Sequence, residues 1–244
     1  MVNINRTTKP IILFEDDHII VCIKPAGIAS QSAKSFQPDM TDILKKHLMT
    51  SAIAAVRNPK SSNDTRKIPE IYVVHRLDQP VGGIMVYAKT QKAAAALSKQ
   101  TAEHTMSKSY FAVVHGEPAS NGTLVDYLLK DGKTNTSGVV SKTTAGAKEA
   151  SLEYSLINSK VVDNDTLSLI KVTLHTGRHH QIRVQFAHAG HPLLGDQKYS
   201  EYTKTTKGIS TLGLFSCSLE FAHPITQERM NFEYTPDYAP FDLF

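Results

Sequence analysis

Short apolar blocks separated by polar turns dominate the first third of the chain. Ile11-Ile12-Leu13-Phe14 and Ile19-Ile20-Val21-Cys22-Ile23 flank an acidic turn, Glu15-Asp16-Asp17-His18. That pattern predicts two strands joined by a tight connection. Lys24-Pro25-Ala26-Gly27 closes the second strand with turn chemistry. Ile43, Leu44 and Leu48 fall on one helical face, which predicts a short helix over 42–49 with Thr41 as its N-cap. Residues 1–10 are polar and read as an arm. Residues 57–69 are polar, basic and bounded by prolines, and read as a long loop. Ile71 to Val74 and Ile84 to Ala88 are β-rich runs on either side of a Pro-Gly turn. Thr90 is placed to cap a helix running from Gln91 to about Glu103, whose alanine run has high helix propensity.

The second half is richer in strands. Lys108 to Gly116 reads as a strand ended by glycine, and residues 117–150 as a loose hairpin. Leu152, Tyr154 and Leu156 alternate as in a half-buried strand. Across 166–174 the apolar phase slips between Leu169 and Ile170, which predicts a bulge there. Thr176 can cap a helix that starts near Arg178 and closes at Gly190. On it Ile182 and Phe186 share a face, with Arg183 half-buried at the edge. Leu212 to Phe221 and Met230 to Tyr234 read as closing strands. Many strands with few helices predict an α+β fold, a mixed and mainly antiparallel sheet with flanking helices and loops. No internal repeat or linker interrupts 11–244, so one domain is expected there.

Composition narrows the class. An apolar content of 41% over 244 residues suits a globular chain with a large core. A membrane span needs about 20 apolar residues in a row, and the runs here are far shorter. Cys22 and Cys217 lie in apolar runs, so buried free thiols in a reducing compartment are expected, and with them a cytoplasmic location. The net charge of +4 is mild, but its distribution is uneven. Residues 171–207 hold six Lys or Arg, two acidic residues and five His, and residues 57–67 hold four Lys or Arg and one Asp. Such patches suit phosphate contacts, and equally suit solvated faces.

Several chemistries lack their residues. There is no HExxH, no close cysteine pair and no carboxylate-rich cluster beside the histidines, so no metal is expected. Phosphate-cradling glycine motifs and Gly-x-Ser-x-Gly are absent too. What remains is Asp78 at the turn after Ile71 to Val74, with Arg76 nearby, and Tyr110 in a strand. An ionised Asp can act as base or nucleophile, and a buried Tyr can stack or move a proton. Each also has a plain structural reading: a turn Asp bonding local backbone, and an ordinary strand aromatic.

Four blocks carry a family resemblance that bears on the choice. The stretch from His75-Arg76-Leu77-Asp78 through Gly82-Gly83 to Ala88-Lys89-Thr90 resembles the RluA-type pseudouridine synthases, unbroken from His75 to Lys92. Lys24-Pro25-Ala26-Gly27 is similar to that family's Lys-Pro-x-Gly, and Lys108-Ser109-Tyr110 to its Lys-x-Tyr block. Gly177-Arg178-His179-His180-Gln181-Ile182-Arg183, with His191-Pro192 and Gly195-Asp196, is similar to its Gly-Arg-x-His-Gln-Ile-Arg block. The order matches and the coverage is about residues 11–235. This chain has Val81-Gly82-Gly83 where the family often has Thr-Ser-Gly, and His179 where it often has Thr. The small RNA-binding domain that often precedes the catalytic one is expected to be missing.

The resemblance implies an RNA uridine isomerase. Asp78 would be the catalytic carboxylate, either adding to the anomeric carbon or removing the neighbouring ribose proton. Arg183 would pair with Asp78, and Tyr110 would pack on the uracil and assist proton removal. Ile182 would wall the pocket, and Arg76 would enter the RNA stack as the target uridine leaves it. His75 and Arg178 join the substrate-binding set. The reaction is redox-neutral, so neither a nucleotide cofactor nor a metal is implied. The implied partner is structured RNA, ribosomal or transfer, met by a monomer with no membrane contact. Two other readings stay open: a catalytically silent RNA-binding module on the same fold, and a glycosidase, which would need a second carboxylate near Asp78.

Overall fold

A computed structural model describes residues 10–31, 37–55, 69–201 and 208–244. The arm over 1–9 and most of the basic loop over 57–69 lie outside the described residues. The chain forms two compact units, Met1–Met106 with Glu220–Phe232, and Ser107–Leu219 with Glu233–Phe244.

In the first unit, β1 (Ile11–Glu15) and β2 (Ile19–Lys24) pair antiparallel, as their apolar runs predict. β2 is buried along its whole length, and so is its other neighbour β4 (Gly82–Ala88), antiparallel to it from Ile19↔Ala88 to Lys24↔Gly83. A strand buried on both faces needs a continuous apolar run, which both supply. β3 is shorter than its run, only Tyr72–Val73, and also pairs with β4. α2 (Gln91–Ala102) begins where expected, with the Thr90 hydroxyl accepting the Ala93 N–H. α1 (Met40–Ala55) starts earlier and runs further than expected. Its cap is Asp39, whose Oδ1 accepts the Thr41 and Asp42 N–H groups, while Thr41 lies inside the first turn. The carboxylate wins because it takes two orphan donors where the hydroxyl would take one.

The second unit is an antiparallel run in the order β5-β9-β8-β6-β7. These are β5 (Ser107–His115), β6 (Asn121–Asp131), β7 (Thr136–Val139), β8 (Lys148–Val162) and β9 (Asp165–Leu174). The hairpin expected over 117–150 is present as β6 and β7, paired from Leu128↔Val139 to Asp131↔Thr136, but it is not loose, since β6 also pairs with β8. Its polar residues mislead because β6 is exposed at alternate positions. The predicted phase slip is real, but the extra residue is on the other strand. Leu156 faces Ile170 and Asn158 faces Leu169, which leaves the half-exposed Ile157 as the bulge. α3 (Gln181–His188) starts three residues later than expected. Thr176 does not cap it. Its hydroxyl accepts the Ser151 N–H and donates to Gln181 Oε1, so the segment before α3 is tied to β8. β10 (Leu214–Ala222) and β11 (Arg229–Glu233) each have residues in both units. The α+β, mainly antiparallel reading of the sequence holds.

The loop after α3 is stitched to β5. Leu194 N–H donates to Val113 O and Gly213 N–H donates to Leu194 O, both at 2.8 Å. Gly195 follows with φ of 72°, and a Cβ there would run into the Thr211 carbonyl. Gly195→Ala combines left-handed strain with that backbone clash, and should lower stability by about 1–3 kcal/mol. The urea unfolding midpoint measures it.

Candidate active site

Asp78 lies on the loop between β3 and β4, and the residues on either side of it are fixed by backbone. Leu77 is buried, and Ser30 Oγ both accepts its N–H (3.1 Å) and donates to its carbonyl (2.9 Å). Gln79 O accepts the Gly27 N–H at 2.8 Å, and Gln79 Nε2 donates to Gly27 O at 3.0 Å. Val81 N–H closes the turn on Asp78 O. His75 is buried, with Nε2 accepting the Val86 N–H at 3.2 Å, so a neutral ring carries its proton on Nδ1. Arg76 is exposed and Asp78 partly so. Thus the segment over 24–30, which opens with the matched Lys24-Pro25-Ala26-Gly27 block and reads locally as a strand-ending turn, is the clamp on the Asp78 loop.

Lys24 is the centre of that clamp. Its side chain is fully buried, and Nζ donates to the carbonyls of Pro25 (3.1 Å), Ile28 (2.6 Å) and Gln79 (3.2 Å). Three donors meet three acceptors, which satisfies the ammonium form. Burial pushes its pKa down to about 7, and the charge of Asp78 pulls it partly back up. Lys108, the lysine of the Lys-x-Tyr block, is likewise lowered by burial, to about 8.

The second unit holds the other candidates. Tyr110 is buried on β5, opposite Val172 of β9. Ile182 and Arg183 are buried on α3. Arg183 is therefore not at a half-exposed edge, because a partner lets it go inside. Nε and Nη2 each bond one oxygen of Asp196 at 2.7 Å, a bidentate pair whose carboxylate is fully buried. Arg178 is partly exposed, with Nε donating to Glu149 O at 2.8 Å. Lys171 and Lys198 are exposed members of the basic stretch.

Several residues that hold this geometry were not singled out from sequence. Lys24 was legible as a lone cation ending an otherwise apolar strand, and Asp196 as a carboxylate beside a glycine in the last matched block. Ser30, Ser137 and Tyr199 carry no local signal.

Residues 18–188 match the family described as RNA pseudouridylate synthase. This chain belongs to that family, one of isomerases, as its four sequence blocks led us to expect. A ribosomal large subunit pseudouridine synthase D from Zymomonas mobilis is 31% identical, over 91% of this chain and 68% of that protein. The tRNA pseudouridine synthase C of Pasteurella multocida is 28% identical, over 90% of this chain and 88% of that one. The chain thus spans about two thirds of the ribosomal relative's length. The structure of human RNA pseudouridylate synthase domain containing 1 superposes with a TM-score of 0.74 at 17% identity, over 98% of this chain and 87% of that chain. That likeness supports the fold. No helix among the described residues is long and apolar enough to cross a membrane.

Because folded Lys24 holds its proton less tightly than the unfolded residue, stability should rise with pH between about 7 and 10.5 through this group. The ¹⁵N signal of Lys24 Nζ should titrate near 7. In Asp78→Asn the midpoint should fall, since the neighbouring negative charge is gone. An unchanged midpoint would show that the two groups do not interact.

Proposed function

We propose that this chain converts specific uridines in structured RNA, ribosomal or transfer, to pseudouridine, with Asp78 as the catalytic carboxylate. The observation that supports this most is the double anchoring of Asp78, through Ser30 on Leu77 and through Lys24 and Gly27 on Gln79. A carboxylate that must meet one sugar carbon gains from such fixed placement. A turn Asp with only a local structural role gains nothing from a buried lysine behind it.

In this reading Asp78 either adds to the anomeric carbon or removes the neighbouring ribose proton. The nitrogen–carbon glycosidic bond breaks, uracil turns, and a carbon–carbon bond forms in its place, as the Asp78–sugar bond breaks on the first route or the ribose proton is returned on the second. The ring carbon then loses its proton and the freed nitrogen gains one, so the atoms balance with no cofactor. Arg183 pairs with Asp78. Tyr110 packs on the uracil and helps remove the proton, and Ile182 forms an apolar wall. Arg76, exposed two residues before Asp78, enters the stack that the uridine leaves. His75 and Arg178 support substrate contacts, and exposed lysines such as Lys171 and Lys198 follow the phosphates, which positions RNA without reading sequence. Residues 11–244 act as one catalytic domain and as a monomer. Two buried thiols, both pushed up to about 12 by burial, suit a reducing cytoplasm.

Asp78→Asn should reduce pseudouridine formation by roughly 10⁴-fold or more, with RNA affinity kept within about threefold. Release of tritium from RNA carrying 5-tritiated uridine measures the first, and filter binding the second. Unchanged tritium release would remove Asp78 from the mechanism, and free uracil in the supernatant would point to a hydrolase.

A further inference from the structure

Arg183 is held on more than its carboxylate side. Its guanidinium carbon lies 5.1 Å from the centre of the Tyr199 ring, within cation–π range. The Tyr199 backbone N–H also reaches Asp196 Oδ1, the oxygen that Arg183 Nη2 bonds. The ring is itself tethered at its far end. The Tyr199 hydroxyl accepts the Ser137 N–H of β7 at 2.8 Å and lies 2.6 Å from His180 Nδ1. His180 holds that position with φ of 56°, an uncommon conformation for a non-glycine residue, and its side chain is buried. His179 stacks on His180 at 3.7 Å and bonds Ser137 Oγ through Nδ1 at 2.9 Å. His179 is the position at which this chain departs from the family's usual Thr. Strain, stacking and two hydroxyl contacts all converge on one ring, and the ring lies against one guanidinium.

We propose that Tyr199 is a positioning residue for Arg183. The guanidinium lies over its ring, its hydroxyl is fixed by His180 and Ser137, and His179 completes the support. The brace fixes the angle at which Arg183 presents its remaining donors. Its catalytic consequence rests on the reading that Arg183 aims the Asp78 carboxylate. Tyr199 touches neither RNA base nor sugar in this scheme and acts only through Arg183.

Two variants separate ring from hydroxyl. Tyr199→Leu removes both, and should lower kcat about 100-fold while KM for the RNA stays within about threefold, as expected when a reacting group is misplaced without loss of binding surface. Tyr199→Phe keeps the ring, and should lose about three- to tenfold in kcat and restore most of the Leu defect. If Tyr199 only stabilised the fold, the folded fraction of either variant would turn over at the wild-type kcat, and that result overturns the proposal. A second readout does not need activity. Hydrogen exchange at Arg183 Nε, followed by NMR, should speed up about tenfold in Tyr199→Leu and less in Tyr199→Phe. Equal exchange in all three proteins also overturns the proposal. Wild-type protein that forms no pseudouridine would defeat the proposed function instead, and the exchange data would still decide whether the brace exists. If Tyr199→Leu does not fold, Tyr199→Phe carries both readouts.

Discussion

The Lys24 ammonium has no exposed surface, and the Asp78 loop depends on where it donates. Removing an ammonium from water is expensive, and only a full set of acceptors makes it tolerable. Those acceptors are carbonyls from two segments some fifty residues apart, Pro25 and Ile28 on one side and Gln79 on the other. Satisfying the charge therefore requires both segments to be in place together. The entropy of closing the intervening chain is met by contacts that also include Ser30 and Gly27. A methionine of similar length would fill the space and leave three carbonyls competing for partners. An arginine would bring a planar fork to a site shaped for a point charge.

The second unit meets the same problem with different chemistry. Arg183 is as buried as Lys24, but its main described partner is a carboxylate and not a ring of carbonyls. Such a pair contributes little net stability, because desolvation of both ions offsets their attraction. Stranding one of them costs about 3–5 kcal/mol. Geometry is the better explanation for keeping it. Two parallel bonds to Asp196 fix the plane of the guanidinium, whose carbon lies 5.1 Å from the centre of the Tyr199 ring. A lysine at 183 could be held in place but not held in orientation.

The sequence announces this architecture unevenly, and the reasons are physical. β2 and β4 were plain because strands buried on both faces must be continuous apolar runs, and half-buried β1 because its short apolar run stops at an acidic turn. α2 was plain because Thr90 has no competitor for the cap. The start of α1 was misplaced by two residues because Asp39 takes the orphan donors that Thr41 was expected to take. At Ile157 the pattern on β9 revealed a bulge without revealing which strand carried the extra residue, since a slip of phase on one strand is the same signal as an insertion on its partner. Arg183 was read as an edge cation because helical spacing places it beside the apolar seam. Nothing in that spacing announces a carboxylate thirteen residues on. Asp78 and its neighbours were legible as one block and Lys24 to Gly27 as another, while the link between the two was not. Lys24 and Ser30 act through their side chains, but the groups they grip are backbone atoms, which any residue type supplies, so nothing at Ile28, Leu77 or Gln79 marks the positions that they hold.

The backbone character of the clamp bears on the reaction. An isomerisation returns every atom to its product, so uracil must be kept between the breaking of one bond and the making of the next. A hydrolase can let its product drift, but an isomerase cannot. In the proposed reaction the Asp78 carboxylate must then stay put while the base turns, and tethers on its side chain alone would leave the loop free to follow it. Hydrogen bonds to Leu77 and Gln79 instead fix the main chain immediately before and after Asp78. Arg76 is carried on the same pinned segment, two residues earlier, a span of about 7 Å at most. In the proposed reaction this couples two events that must coincide in space: the filling of the gap in the RNA stack and the approach of the sugar to the carboxylate. A loop free to flex would let them separate, and the extruded uridine would have time to return.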